Sequence, residues 1–208
     1  MASDLGIDSL QTRRARLRAR LMNWRSAESG VAAVEFALIA PILLVALLGM
    51  SDVTTRVVTD RKLVNLSRTL ADLTSRSVAL PREELRNIFQ SVAAIMQPFP
   101  AGSTQMIVSS IIVTNNGGTA TGAVDWSCGY NIPGSGVTQA GTDPNMSPRA
   151  PGSSRPVPAA FANSTSFILV EAKIPYRPGI FGGRDLSETT PWPVRDGARV
   201  VLSGGCPT

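Results

Sequence analysis

The residues through which this chain could do chemistry are few: Glu35, the single charge in a long apolar run, two cysteines, Cys128 and Cys206, and no histidine at all. Without histidine the commonest general base, the Ser-His and Cys-His pairs and the usual zinc ligand are all missing. No G-x-x-x-x-G-K-[ST], H-E-x-x-H, C-x-x-C or G-x-S-x-G pattern occurs, and Gly117-Gly118 reads as a turn rather than a phosphate cradle. The remaining Asp, Glu and Ser show no pairing along the sequence. These observations point away from an enzyme and assign no catalytic residue, metal or cofactor. The cysteines admit two readings, one disulfide in an exported domain or two buried thiols in a cytosolic one. A carboxylate in an apolar run likewise either pairs with a cation or simply solvates a helix end.

The element that must position Glu35 is the run 31–50, VAAVEFALIAPILLVALLGM, twenty residues that contain one charge and one proline, Pro41. As a helix it is about 30 Å long, the hydrocarbon thickness of a bilayer. Glu35 falls near its start, where a carboxylate reaches the headgroups; at the bilayer centre it would cost about 3 kcal/mol or more. A secretory signal peptide has a shorter apolar region followed by small residues at a cleavage site, and Leu48-Gly49-Met50-Ser51 does not supply them. A buried core helix leaves the basic flank unexplained, whereas an uncleaved signal anchor accounts for it. That flank, residues 1–30, holds six Arg (Arg13, Arg14, Arg16, Arg18, Arg20 and Arg25) against Asp4, Asp8 and Glu28. The whole chain of 208 residues has a formal net charge of +5, and outside this segment fourteen Lys and Arg face twelve acids. The basicity therefore belongs to the leader, which fits a cytoplasmic segment on anionic lipid and not a nucleic-acid partner.

Basic segment, Gly30, four apolar residues, Glu35, the aromatic Phe36 and a further apolar stretch together resemble the signal of type IV prepilins and pseudopilins. More narrowly, AAVEFALIAPILLVALLG resembles the opening of the TadE-like family, minor pseudopilins of Flp (tight adherence) pilus machines. The resemblance is firm over residues 26–78, and VEAKIPYRPGIFG repeats it more loosely. It implies cleavage by a membrane prepilin peptidase after Gly30, leaving Val31 as the mature N-terminus. Gly30 has no side chain to clash in the narrow site of such an enzyme. It further implies that the freed Val31 amine pairs with Glu35 of a neighbouring subunit, while Phe36, Leu38, Ile42 and Leu43 pack helix on helix. The partners implied are the peptidase, other pilus subunits and inner-membrane assembly proteins. The topology implied is a single pass through a bacterial inner membrane, with the N-terminus cytoplasmic and the C-terminal domain periplasmic or extracellular. The alternative function is an uncleaved bitopic envelope protein that tethers a binding domain to the inner membrane. A translation start at Met22 would leave a nine-residue leader.

Beyond the run, Val53, Val57, Leu63, Leu66, Leu70 and Leu73 keep a helical rhythm to residue 78, an amphipathic stem. Pro81, Glu83 and Glu84 open a second helix, with Leu85, Ile88, Phe89, Val92 and Met96 on one face and Pro98 and Pro100 beyond it. The two helices are expected to form a hairpin. Residues 105–115 read as a strand, 123–130 as its partner across the Asn116-Gly117-Gly118 turn, 166–176 as a third strand and 194–203 as a last one. Pro and Gly crowd residues 133–158, expected to be a mobile loop. The fold expected is α+β and pilin-like. Residues 1–30 form the leader, 31–50 the transmembrane helix and 51–100 the stem and second helix. Residues 101–208 form an outer domain with a sheet of about four antiparallel strands packed on helices. In that arrangement Cys128 and Cys206 form one disulfide.

Overall fold

A computed structural model of the protein describes residues 28–99, 103–131, 146–176 and 183–207. The basic leader up to residue 27, including Met22, and residues 132–145 of the Pro/Gly-rich stretch lie outside the described residues. The chain divides into two compact units, Met1–Ser51 and Asp52–Thr208. The architecture is mixed α+β: one long N-terminal helix, then an antiparallel sheet.

Helix α1, Glu28–Ser75, runs through both the apolar run and the stem and tolerates Pro41 in its interior. Its burial changes at Thr59. From there Thr59, Leu63, Leu66, Leu70 and Thr74 recur at three or four residues and are fully buried or nearly so, one face of a helix with a period of 3.6 residues. Val53 and Val57, which the sequence placed on the same apolar face, are exposed instead. The helix stops where its last carbonyls find other partners. The Ser75 hydroxyl donates to the Asp72 carbonyl at 2.9 Å, and the Arg195 N–H donates to the Ser75 carbonyl at 3.1 Å.

Strand β1, Ala79–Pro81, connects α1 to helix α2, Arg82–Ala93. Pro81 is the residue just before α2, with extended φ and ψ, and Glu83 and Glu84 lie in its first turn. There their charges oppose the positive end of the helix dipole. A 3-10 turn, Ala94–Met96, follows. Lys62 then reaches across from α1, its ammonium donating to the carbonyls of Ile95 and Gln97.

The main sheet has five strands in the order β4-β3-β2-β5-β6: β2 Gln105–Asn116, β3 Thr119–Tyr130, β4 Ser154–Arg155, β5 Ser166–Tyr176 and β6 Arg184–Pro193. All neighbours in it are antiparallel. Gly117 and Gly118, at φ +62° and +94°, supply the two left-handed residues that a tight hairpin needs between β2 and β3. Alternation along the strands makes two buried faces. One face carries Met106, Val108, Trp126, Cys128, Ile168, Val170, Ala172, Ile174 and Leu186, and packs with Leu63, Leu66 and Leu70 of α1 and Leu85, Phe89 and Val92 of α2. The other carries Ile111, Val113, Val124, Phe167 and Leu169, with Val157 and Phe161 against them.

Three features differ from the sequence expectation. The sheet has a fifth strand, β6, whose RDLSETTPWP sequence has weak apolar alternation; only its core-facing Leu186 and Thr190 are buried. The expected last strand at 194–203 shrinks to β7, Val201–Ser203, and pairs in parallel with β1 rather than joining the main sheet. Finally, the described part of the Pro/Gly-rich stretch is clasped to the sheet. β4 pairs with Gly122 and Ala123 of β3, so close that a Cβ on Gly122 would lie 2.8 Å from the Arg155 carbonyl. Both Arg149 and Arg155 donate to the Glu171 carboxylate, at 2.8 and 3.0 Å. Two cations on one half-buried carboxylate hold the segment where its small residues offer no core of their own.

Candidate functional site

From Gly30 to Met50, α1 is exposed at every position except Ala40 and Gly49, which are partly covered. Val31, Val34, Phe36, Leu38, Ile39, Ile42, Leu43, Leu44, Val45, Leu47 and Met50 are all more than half exposed, Phe36 at 69 %. The most apolar eighteen-residue window of this helix has a mean hydropathy of 2.6, and none of it is buried against the rest of the chain. A core helix of a soluble domain buries at least one stripe; this one buries none. Among the described residues it is the one helix long and apolar enough to cross a membrane.

Gly30, Val31, Glu35 and Phe36 all lie on this helix and are exposed. A Cβ placed on Gly30 meets nothing within 4 Å among the described residues, so no described contact requires a glycine there. In a helix glycine costs about 1 kcal/mol relative to alanine. Val31 and Glu35 are separated by four residues, which puts them on one side of the helix, a turn apart. Among the described residues, no other element buries these four.

Two further arrangements join residues distant in sequence. The Tyr176 hydroxyl, at the end of β5, donates to the Asp52 backbone carbonyl at 3.0 Å and lies 3.3 Å from its carboxylate. Partial burial first, then the Asp52 charge and hydrogen bond, push the Tyr176 pKa above its usual 10.0, so the phenol stays a protonated donor at neutral pH. Cys128, wholly buried on β3, is bonded to Cys206, 78 positions further along the sequence, with 5.3 Å between Cα atoms. That bond anchors a tail which also lies along the joint between α1 and α2. Val201 N–H donates to the Val78 carbonyl at 2.9 Å, Arg82 to the Gly204 carbonyl, and the Trp126 indole N–H to the Val200 carbonyl at 2.8 Å.

Several polar groups of the outer sheet face pair with one another. An open hollow of about 190 Å³ is lined by Met146, Arg149, Glu171, Lys173, Ser187 and Glu188. Its central carboxylate, Glu171, already accepts from two arginines, an arrangement that braces a loop and leaves that group poorly suited to act as a base. Sequence reasoning did not single out the Tyr176–Asp52 or Arg149–Glu171–Arg155 contacts. Glu171 showed only as a polar break in β5, and nothing near Tyr176 pointed to a residue 124 positions away.

No curated protein and no solved structure matches this chain. The family model described as TadE-like protein matches residues 30–72, which take in the exposed half of α1 and most of its buried half. Over that segment, about a fifth of its length, the chain is similar to TadE-like proteins, and the segment begins with an apolar helix of membrane-crossing length.

Proposed function

We propose that this protein is a pseudopilin, a structural and assembly component of an Flp-type pilus. A prepilin peptidase removes its leader, residues 1–30, between Gly30 and Val31. Residues 31–50 cross the inner membrane with the leader in the cytoplasm. Residues 51–100, the stem and second helix, and residues 101–208 form the outer part, periplasmic or extracellular. Hydrolysis adds water across the Gly30–Val31 peptide bond, leaving a carboxylate on Gly30 and a free amine on Val31. That amine, protonated at neutral pH and held where water is scarce, pairs with Glu35 of a neighbouring subunit and sets the register of assembly. Phe36, Leu38, Ile42 and Leu43 then pack against other pilus subunits. The protein itself catalyses nothing.

One observation carries this reading: α1 keeps a helix-weakening glycine and a carboxylate on an apolar surface that no other described part of the chain covers. A residue costly to the chain and unused by it is explained by an outside agent, here a protease and a neighbouring subunit. N-terminal sequencing of the membrane-extracted protein tests the reading. A start at Val31 in cells with an active prepilin peptidase, and an intact leader in cells without one, is the expected result. An N-terminus upstream of Gly30 in the presence of the peptidase would favour an uncleaved tether instead.

A further inference from the structure

Tyr176 marks one end of the main sheet, and its partner Asp52 is the first residue of the second unit. Within the second unit, α1 runs alongside β5 in the opposite direction. Tyr176 at the end of β5 bonds to Asp52; at the other end Arg195, two residues past β6, bonds to Ser75. Both paths are of similar length, about 34 Å for helix 52–75 at 1.5 Å per residue and about 33 Å for β5 at 3.3 Å per residue. Asp52 follows Met50, the last residue of the apolar run, by two positions. A tyrosine held there by its hydroxyl, with an apolar ring and a polar tip, is the residue type that gathers at membrane–water interfaces.

Charge at this end of the sheet is arranged to match. Arg184 sits opposite Tyr176 in the β5–β6 register and is exposed, as is Arg56, one turn along α1 from Asp52. Of the two acids nearby, Asp52 lies beside the Tyr176 hydroxyl, and the exposed Asp185 is offset by the Lys173 ammonium at 3.2 Å. The two arginines therefore leave this end with a positive balance. We propose that this end of the sheet rests on the bilayer surface, with Tyr176 at the interface and Arg56 and Arg184 against anionic phospholipid headgroups. The contact rests on the membrane-crossing reading of residues 31–50 and goes beyond it, because it fixes which end of the sheet faces the lipid. It adds an attraction of about 1 kcal/mol per arginine near an anionic surface.

The test uses the full chain in vesicles of phosphatidylethanolamine and phosphatidylglycerol, with a photoreactive benzoylphenylalanine placed singly at position 184, 56, 116 or 44. Position 116, beside the β2–β3 turn, is at the opposite end of the sheet, and position 44 is inside the apolar run. Lipid adducts are expected at 44, 184 and 56. Those at 184 and 56 should exceed the yield at 116 at least about fivefold, the ratio that corresponds to about 1 kcal/mol. They should fall by a similar factor in phosphatidylcholine vesicles. Adducts at 44 with none above the level of 116 at either 184 or 56 would overturn the proposal while leaving the membrane helix intact. No adducts at 44 would overturn both. Yields at 184 and 56 unchanged in phosphatidylcholine would overturn the assignment to anionic headgroups.

Discussion

The two halves of α1 share one helix and differ in what their side chains meet. Before Thr59 the apolar residues point in all directions and remain exposed; from Thr59 on, one stripe is buried and the rest is polar. A side chain buried in its own core has its burial energy already gathered in the monomer. One left exposed keeps that energy for lipid or for a neighbour, at about 25 cal/mol per Å² of apolar surface covered. The second half thus stabilises the second unit, and the first half is reserved for whatever surrounds it.

Removing the Cys128–Cys206 bond is expected to have the largest effect on the second region and none on the first. In the chain-entropy model, closing a 78-residue separation restricts the unfolded state by about 4 to 5 kcal/mol, an upper figure; losses in practice are about 2 to 5 kcal/mol. The variant C206S should show this in urea melts followed by a probe in the sheet, while membrane extraction stays unchanged. Two freely alkylated thiols in the native protein would remove the bridge from this account.

Next in size is a paired truncation along α1. Leu66 is fully buried, so L66A leaves a cavity and should destabilise the outer domain by about 2 to 5 kcal/mol. Leu43 is 60 % exposed, and L43A should leave the same melt within about 0.5 kcal/mol. Equal losses from both would erase the contrast between the halves.

The smallest effect belongs to Tyr176. Its pKa is raised in the folded state, so its contribution is fully present below the unfolded value of 10.0 and is lost as pH rises through the higher folded value. Y176F, which removes the hydroxyl, should cost about 0.5 to 1.5 kcal/mol at neutral pH. It should also flatten the part of the alkaline stability loss that lies above pH 10. An unchanged alkaline limb in Y176F would show that the Asp52 contact contributes nothing.

Much of this was legible in the sequence where the signal is local. β5 begins and ends at the residues its β-branched, proline-closed pattern marks, 166 and 176, and the glycine pair locates the β2–β3 turn. β6 escaped notice because an edge strand needs only one apolar face, and its prolines and threonines read as loop. The parallel β1–β7 pair joins residues more than a hundred apart, with three residues in each strand, too short for any period to show. The stem rhythm ran without a break from Val53 to Leu73. The switch at Thr59 depends on where the sheet lies, which the helical period does not encode. At the candidate site the apolar run and Glu35 are visible in composition alone, but that a Cβ on Gly30 would meet nothing among the described residues is a statement about its surroundings and needed coordinates.

The claim that the exposed half of α1 serves assembly rests most heavily on Glu35, and E35A tests it most directly. Co-purification of the variant with the other pilus subunits should be measured beside its membrane insertion, its N-terminus and the urea melt of its outer domain. The account expects insertion, cleavage before Val31 and domain stability close to wild type, with co-purification largely lost, because only the pairing with a neighbour's Val31 amine is removed. An E35A protein that co-purifies with the pilus subunits as the wild type does would contradict it, leaving Glu35 as a carboxylate that merely solvates the end of a membrane helix.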